Sequence, residues 1–252
     1  MARKTWQDYG REWLDTIVVA FSVAMAFRAY FFQPFNIPTG SMQETLWGYH
    51  TREGVEPGAW DRFPLSIAKW VWTGEKTVEF NAPASGTVRV IPRQDGFADV
   101  FVGADAHGCK LPLDACRELA GRYVVRGQTV WKGAVISGDF IFVNRMTWNF
   151  RKPRNGDVMV FATDGIRGLQ QGTHYIKRMK ATPGETYRLE HPVADQPMLP
   201  VEVTMGDDEY FACGDNFRNS FDSRYWGPVP GDNLRGVGSV VFWPFNGWRI
   251  IR

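Results

Sequence analysis

The sequence predicts a mainly β protein carried behind one N-terminal transmembrane helix. Three observations predict it. A single apolar run is long enough to cross a bilayer. Beyond Leu46 the apolar stretches are short and alternate with clusters of Gly, Pro, Asn and Asp. The 26 Gly, 15 Pro and 15% aromatics in 252 residues favour strands and turns over a helical bundle. A hydrophobic content of 44% against 22% charged residues fits a folded body rather than a disordered one. A mean hydropathy of -0.29 excludes a polytopic membrane protein. The formal net charge of +2 is too small for a nucleic-acid footprint.

The apolar run is Trp13–Phe32, whose 20 residues rise roughly 30 Å as a helix, about the thickness of a bilayer core. Asp15 lies near one end and Arg28 near the other, where its long side chain can snorkel to the interface. Pro34 is then expected to stop the helix. Arg3, Lys4 and Arg11 precede the run and no Lys or Arg follows Arg28 until Arg52, so the positive-inside rule leaves residues 1–12 in the cytoplasm. Two other readings stay open on sequence: a cleaved signal peptide, since Ala24-Met25-Ala26 has the small-x-small form, and a buried core helix.

Strands are expected at Lys76–Phe80, Thr87–Ile91, Tyr123–Val125, Phe140–Asn144, Val158–Phe161, Thr173–Met179, Val201–Met205, Tyr210–Ala212 and Val237–Trp243. Beyond the anchor only Leu113–Leu119 shows a weak helical period. The outer portion, 33–252, divides into a loop-rich segment 48–137 and a denser β core 138–252. Ala82–Val88 and Gly127–Gly133 faintly resemble lipoyl-type domains, but no modification motif accompanies them and they are read as packing. Cys109 and Cys116 are close enough in sequence to pair, leaving Cys213 free; unpaired thiols are the equal alternative.

No G-x-S-x-G, H-E-x-x-H, phosphate-binding glycine motif or C-x-x-C occurs, and His50, His107, His174 and His191 lack zinc-ligand spacing. Four segments stand out instead: Phe35–Leu46 directly after the anchor, Asn155–Phe161, His174–Glu185 and Gly214–Pro230. In this order, behind an anchor, they closely resemble bacterial type I signal peptidases. The resemblance covers the anchor, the stretch to about Leu46 and nearly all of 138–252. It implies a coiled, antiparallel all-β catalytic domain outside the membrane, with 48–137 as an inserted β and loop segment. It also implies cleavage of N-terminal signal peptides from exported preproteins by a serine–lysine dyad, with no cofactor and no metal. The partners implied are signal peptides ending in Ala-x-Ala, the lipid bilayer and the secretion translocon, at the bacterial plasma membrane.

Carried over residue by residue, Ser41 matches the nucleophile and Lys177 its general base. Ser41 follows Gly40 in a tight loop that would expose its hydroxyl. Lys177 sits in a strand beside Ile176, where burial disfavours the ammonium and would lower its pKa from about 10.4 to about 8. Taken alone, Lys177 reads as an exposed strand lysine; the four segments together reverse that. Thr39 matches the hydroxyl that, with the Ser41 backbone N–H, faces the developing oxyanion. Ser220 matches the residue that orients the base, and Asp222 with Arg224 and Arg178 is expected to form a bracing ion-pair network. Ile37, Pro38, Met42, Leu46, Phe161, Tyr175 and Ile176 match positions lining the shallow substrate pockets, beside which an extended peptide would add as a strand.

The pattern departs from the family at Glu44, where proline is usual, at His174 in place of an acid, and at Asn155 in place of a base. Two rivals remain: a self-cleaving repressor-type peptidase and a catalytically silent membrane module that binds signal-peptide-like strands. The first carries a DNA-binding helix pair and a scissile Ala-Gly before its serine, whereas Ala120-Gly121 here follows Ser41.

Overall fold

In the computed structural model, which describes residues 6–93, 96–104, 108–189 and 202–252, the apolar run forms one helix, α1 (Trp6–Tyr30). The segment Tyr9–Tyr30 is long and apolar enough to cross a membrane, and none of it is buried by the rest of the chain. The fold therefore does not use it as a core helix. Arg3 and Lys4, on which the expected orientation partly rests, lie outside the described residues, as do His107, His191 and Val201.

The helix ends at Tyr30, two residues short of the expected Phe32 and four before Pro34. The chain turns at once into β1 (Phe32–Asn36), so Pro34 lies inside a strand. An edge strand tolerates that placement because a missing N–H on its outer side breaks no ladder. Arg145 holds the junction, its backbone N–H donating to Phe31 O at 3.0 Å and its Nη1 to Ala29 O at 3.1 Å.

The next elements are β2 (His50–Glu53), α2 (Leu65–Thr73), β3 (Glu75–Asn81), β4 (Gly86–Pro92), β5 (Phe97–Val102), β6 (Cys109–Pro112), β7 (Tyr123–Val124) and β8 (Thr129–Ile136). Their strands pair antiparallel among themselves, in the orders β2-β8-β3 and β6-β5-β4-β7. A core of their own includes Val88, Val100, Leu111, Val124, Val130 and Trp131, which gives the lipoyl-like segments the packing role expected of them. Five of these elements, β2, α2, β5, β6 and β8, are absent from the expected set. β8 is covered at Val130, Trp131, Gly133 and Ala134, so the alternation that marks a half-buried strand is missing. α2 carries its apolar residues outward. At Leu113–Cys116 the weak helical period yields only a 3-10 turn. All three cysteines are free, with Cys116 and Cys213 buried.

The second half gives β9 (Phe140–Asn144), α3 (Thr147–Phe150), β10 (Val158–Ala162), β11 (His174–Ala181), β12 (Thr186–Arg188), β13 (Glu202–Thr204), β14 (Glu209–Cys213), α4 (Ser223–Trp226), β15 (Val229–Pro230), β16 (Leu234–Trp243) and β17 (Arg249–Ile250). Seven of these strands join β1 in an eight-stranded antiparallel sheet in the order β1-β9-β16-β10-β11-β14-β15, β17 pairing with β16, while β12 and β13 pair with each other as a separate ribbon. The sheet curls: the rings of Phe35 in β1 and His174 in β11 meet at 5.5 Å, although three strands separate them in sheet order. Register shifts within β16 against β9 and β10, and within β11 against β14, supply the local twist. β10 runs through the middle and is buried on both faces.

Asp139, just ahead of β9, ties the segment that follows β1 to β17. Its carboxylate accepts from Trp47 N–H at 2.8 Å and from Arg249 Nη2 at 2.5 Å, while its own N–H donates to Trp47 O and its carbonyl accepts from Ile37 N–H. The side chain is buried, so removing it leaves the Trp47 N–H without its acceptor and takes from Arg249 its carboxylate, leaving the guanidinium with the Thr45 and Gly247 carbonyls. Asp139→Ala is expected to destabilise the protein by about 2–4 kcal/mol, read as a lower denaturant midpoint in detergent, with Asp139→Asn milder.

Candidate active site

From β1 the chain passes through Ile37, Pro38 and Thr39 into a one-turn 3-10 helix, Gly40–Met42. Ile37, Met42 and Leu46 are buried with Ile141, Val143, Val158 and Val160, so this short segment is pinned to the core on both sides of Ser41. The first amides of such a turn have no partner within it, which leaves the Ser41 N–H available. Thr39 is the N-cap, yet its side chain makes no capping bond; its Oγ1 lies 3.4 Å from Ser41 Oγ. Asn216 grips the loop from outside, donating from its backbone to Ser41 O and from Nδ2 to Gly40 O, each at 3.1 Å.

Lys177 lies in β11 opposite Met159 of β10 and shares its strand face with the buried Met179 and Ala181. It is 4% exposed. Its Nζ donates to Ser41 Oγ at 2.6 Å. Burial pushes the ammonium down to about 8. The nearby Arg224 guanidinium acts in the same direction, while Asp222, Cys213 and Asp215 oppose it. The cation that assists is thus Arg224, not the adjacent Arg178.

The ion pairs around the dyad divide into two. Asp222 and Arg224 form a fully buried pair, with Arg224 Nε donating to Asp222 Oδ1 at 2.8 Å and Nη2 to Oδ2 at 3.0 Å. Asp222 Oδ2 also accepts from Gly214 N–H. Arg178 belongs to a different cluster: its Nε and Nη2 donate to the two Asp215 oxygens at 2.7 Å, and Nη2 reaches Thr45 Oγ1 at 3.0 Å. The expected single network of Asp222, Arg224 and Arg178 is therefore not formed. Neighbouring residues in a strand face opposite ways, and Arg178 points away from Lys177. Asp215, legible only as a turn residue, is its partner.

Ser220 is buried in the same cleft, but its Oγ has no hydrogen-bond partner; the expected bond to Lys177 is not made here. A Cβ at Gly214 would overlap both Ser220 Oγ and the Ser41 carbonyl oxygen, so glycine is required where the supporting loop meets the nucleophile turn.

The cleft itself has a volume of about 660 Å³. Ile37, Pro38, Tyr175 and Ile176 line it, together with Ser41, Lys177 and Thr39, as expected. Met42, Leu46 and Phe161 do not: all three are at 0% exposure in the core. In β10 the period of two puts Val160, not Phe161, on the cleft beside Ile176. A second concavity of about 1060 Å³ opens across the loop after Ser41, lined by Glu44, Trp47, Asn216 and Arg218 among others, and holds neither Ser41 nor Lys177.

A hydroxyl in contact with a buried amine of lowered pKa, inside a curled antiparallel sheet, is an arrangement suited to nucleophilic hydrolysis. The family model described as signal peptidase, peptidase S26, matches residues 118–193 and 187–243, together half of the chain. The chain belongs to that family. It is 33% identical over 123 residues to a probable signal peptidase I-2 of Synechocystis sp., covering 42% of this chain and 56% of that protein. With the signal peptidase I of Leptolyngbya laminosa it shares 32% identity over 125 residues, 43% of this chain and 62% of the other. The chain thus spans less than two thirds of the length of these two curated relatives. With a crystal structure of a signal peptidase I from Enterococcus faecalis V583 it shares 25% identity over 34% of this chain and 97% of that one, at a TM-score of 0.26. The family match includes Lys177 and the 214–224 segment and begins after Ser41.

A lysine whose folded pKa lies below its unfolded value destabilises the fold at neutral pH, and the penalty fades as pH rises from about 8 toward the ordinary value of 10.5. Wild-type stability should therefore climb over that window. Lys177→Met should flatten the climb and be more stable near pH 7, by about 1–3 kcal/mol. Denaturant midpoints measured across the pH range check both.

Proposed function

We propose that this chain is a membrane-anchored endopeptidase that cleaves N-terminal signal peptides from exported preproteins. In this reading Ser41 is the nucleophile and neutral Lys177 the general base. The observation that carries it is the 2.6 Å contact between Lys177 Nζ and Ser41 Oγ, made by a buried amine in a chain of this family.

In the ammonium form Lys177 donates to Ser41. Once neutral, its lone pair accepts the Ser41 proton as Oγ attacks the scissile carbonyl. The negative charge that forms on the carbonyl oxygen is met by the Ser41 N–H and the Thr39 hydroxyl. Lys177 then returns the proton to the leaving amine, and the mature protein departs with its new N-terminus. Water, deprotonated by the same lysine, attacks the acyl-enzyme ester, releases the signal peptide as a carboxylate and restores Ser41. Asp222 and Arg224 hold the wall behind the lysine, and Ser220 contributes a hydroxyl within the cleft. The substrate lies extended between β1 and β11, its small side chains against Ile37, Pro38, Val160 and Ile176, which suits an Ala-x-Ala ending.

The helix α1 is the anchor, with Arg11 and the basic residues before it on the cytoplasmic side and the cleft on the outer face of the plasma membrane. Working there places the enzyme beside the translocon from which its substrates emerge.

The test is preprotein processing in detergent. Ser41→Ala and Lys177→Ala should each abolish cleavage, and the double variant should be no worse than either, because the two act as one unit. Thr39→Ala should lower kcat by about 10²–10³-fold with little change in KM, whereas Thr39→Ser stays active. Activity should rise with pH through about 8, where Lys177 loses its proton, and not through the range of an ordinary histidine. Normal processing by a folded Lys177→Ala protein would overturn the reading, and binding of preprotein without cleavage by wild type would favour a silent module.

A further inference from the structure

Helix α2 is built inside out. Its half-buried face is Ser66, Lys69 and Thr73, at the i, i+3, i+7 spacing of one helix side. Lys69 Nζ bonds Asp61 Oδ1 at 2.7 Å and Glu75 Oε1 at 2.8 Å, and Asp61 is further held by Thr77. The polar stripe is therefore satisfied against the protein. Leu65, Ile67, Trp70 and Trp72 point outward and stay between 43% and 60% exposed. A helix bordered by water carries the opposite arrangement. Phe63, 82% exposed and two residues before the helix, and Phe245, whose ring lies 6.4 Å from that of Trp72, extend the patch at its margins.

This patch is continuous with the anchor. From Phe27 in α1 the ring of Phe32 is 5.8 Å away; from there the rings of Phe142, Phe242, Phe140, Trp243 and Trp70 follow at steps of 4.2–6.2 Å. Trp243 Nε1 also donates to Val71 O at 2.8 Å, fastening α2 to β16. Only Phe31 lies between α1 and β1, and Arg145 bonds the helix end, so the sheet that bears α2 cannot move far from where α1 leaves the membrane.

We infer that the outer face of α2 is a second membrane contact, seated in the interfacial layer of the leaflet from which α1 emerges. The occupant is phospholipid: tryptophans dominate the face, as at a bilayer interface, and the ring path runs into it from the proposed span. The inference rests on reading α1 as an anchor.

The test labels single cysteines with an environment-sensitive fluorophore in the full chain, in a Cys109→Ser background that leaves Cys116 and Cys213 buried. The protein is reconstituted into phosphatidylcholine–phosphatidylglycerol vesicles, and quenching by nitroxides placed at different depths on the lipids is measured. A label at Ile67→Cys or, should that variant not fold, Trp72→Cys is expected about 5–10 Å below the headgroup level and shielded from aqueous iodide. A label at Val18→Cys, in the middle of α1, reports the anchor separately. If the Val18 label is quenched from the bilayer centre while the α2 label stays open to iodide, the inference fails and the anchor reading stands. If neither is quenched, both fail. Shielding of α2 that appears in lipid-free detergent and grows with protein concentration would assign the face to a second copy of the chain and overturn the lipid contact.

Discussion

Burying one amino group beside one hydroxyl is the constraint around which the second half of the chain is organised. Lys177 needs to lose water without gaining a carboxylate partner, because a direct ion pair would stabilise the ammonium and keep the proton in place. The structure meets this by placing the nearest carboxylate, Asp222, in a bond pattern already taken up by Arg224 and the Gly214 N–H. The acid is present but occupied. Loss of solvent is the largest influence on Lys177 and outweighs the opposing pull of Asp222, with Arg224 adding a smaller push in the direction of burial.

The same constraint explains how the loops around the dyad are held. The Gly40–Met42 turn is fixed from below by Met42 and Leu46 in the core and from above by Asn216. The Arg178–Asp215 pair, which also reaches Thr45, sits immediately beside it and ties the turn to β11. Three contacts with different chemistry thus fix Ser41 Oγ; for the nucleophile proposed above that matters, since a displacement of about 1 Å would cost on the order of 10²-fold in rate. Gly214 shows how tight the fit is: a single methyl there has no space.

Much of this was legible in the sequence, and the limits of legibility have physical causes. The segments of Ser41 and Lys177 are legible because each carries a local pattern strong enough to read without the fold, and the structure brings the two side chains into contact across 136 positions. Strands such as β9 are legible because they alternate, and β10 because it is an unbroken apolar run. β8 is not, because Lys132 and Gly133 interrupt it and leave neither an alternation nor a continuous run, and α2 is not, because its apolar side faces outward and mimics no core-facing period. Phe161 was assigned to the cleft in place of Val160 because a one-residue offset in a fully apolar strand leaves no sequence trace. The partner of Arg178 could not be read at all, since Asp215 and Asp222 both lie in the same loop and only the curl of the sheet decides between them.

The single residue between α1 and β1 also sets a matter of reach. A peptidase on a long flexible stalk would sample a broad shell above its membrane, and each substrate would have to find the cleft within it. Here the strand that leaves the helix becomes one wall of the cleft within a few residues, so under the proposed reading, with α1 across a bilayer, Ser41 would sit at a set height and face a set direction relative to the bilayer normal. Such a device would select by distance as well as by side chain. A small-residue sequence too far along an emerging chain, or still within the lipid, would be out of range however well it fitted the pockets.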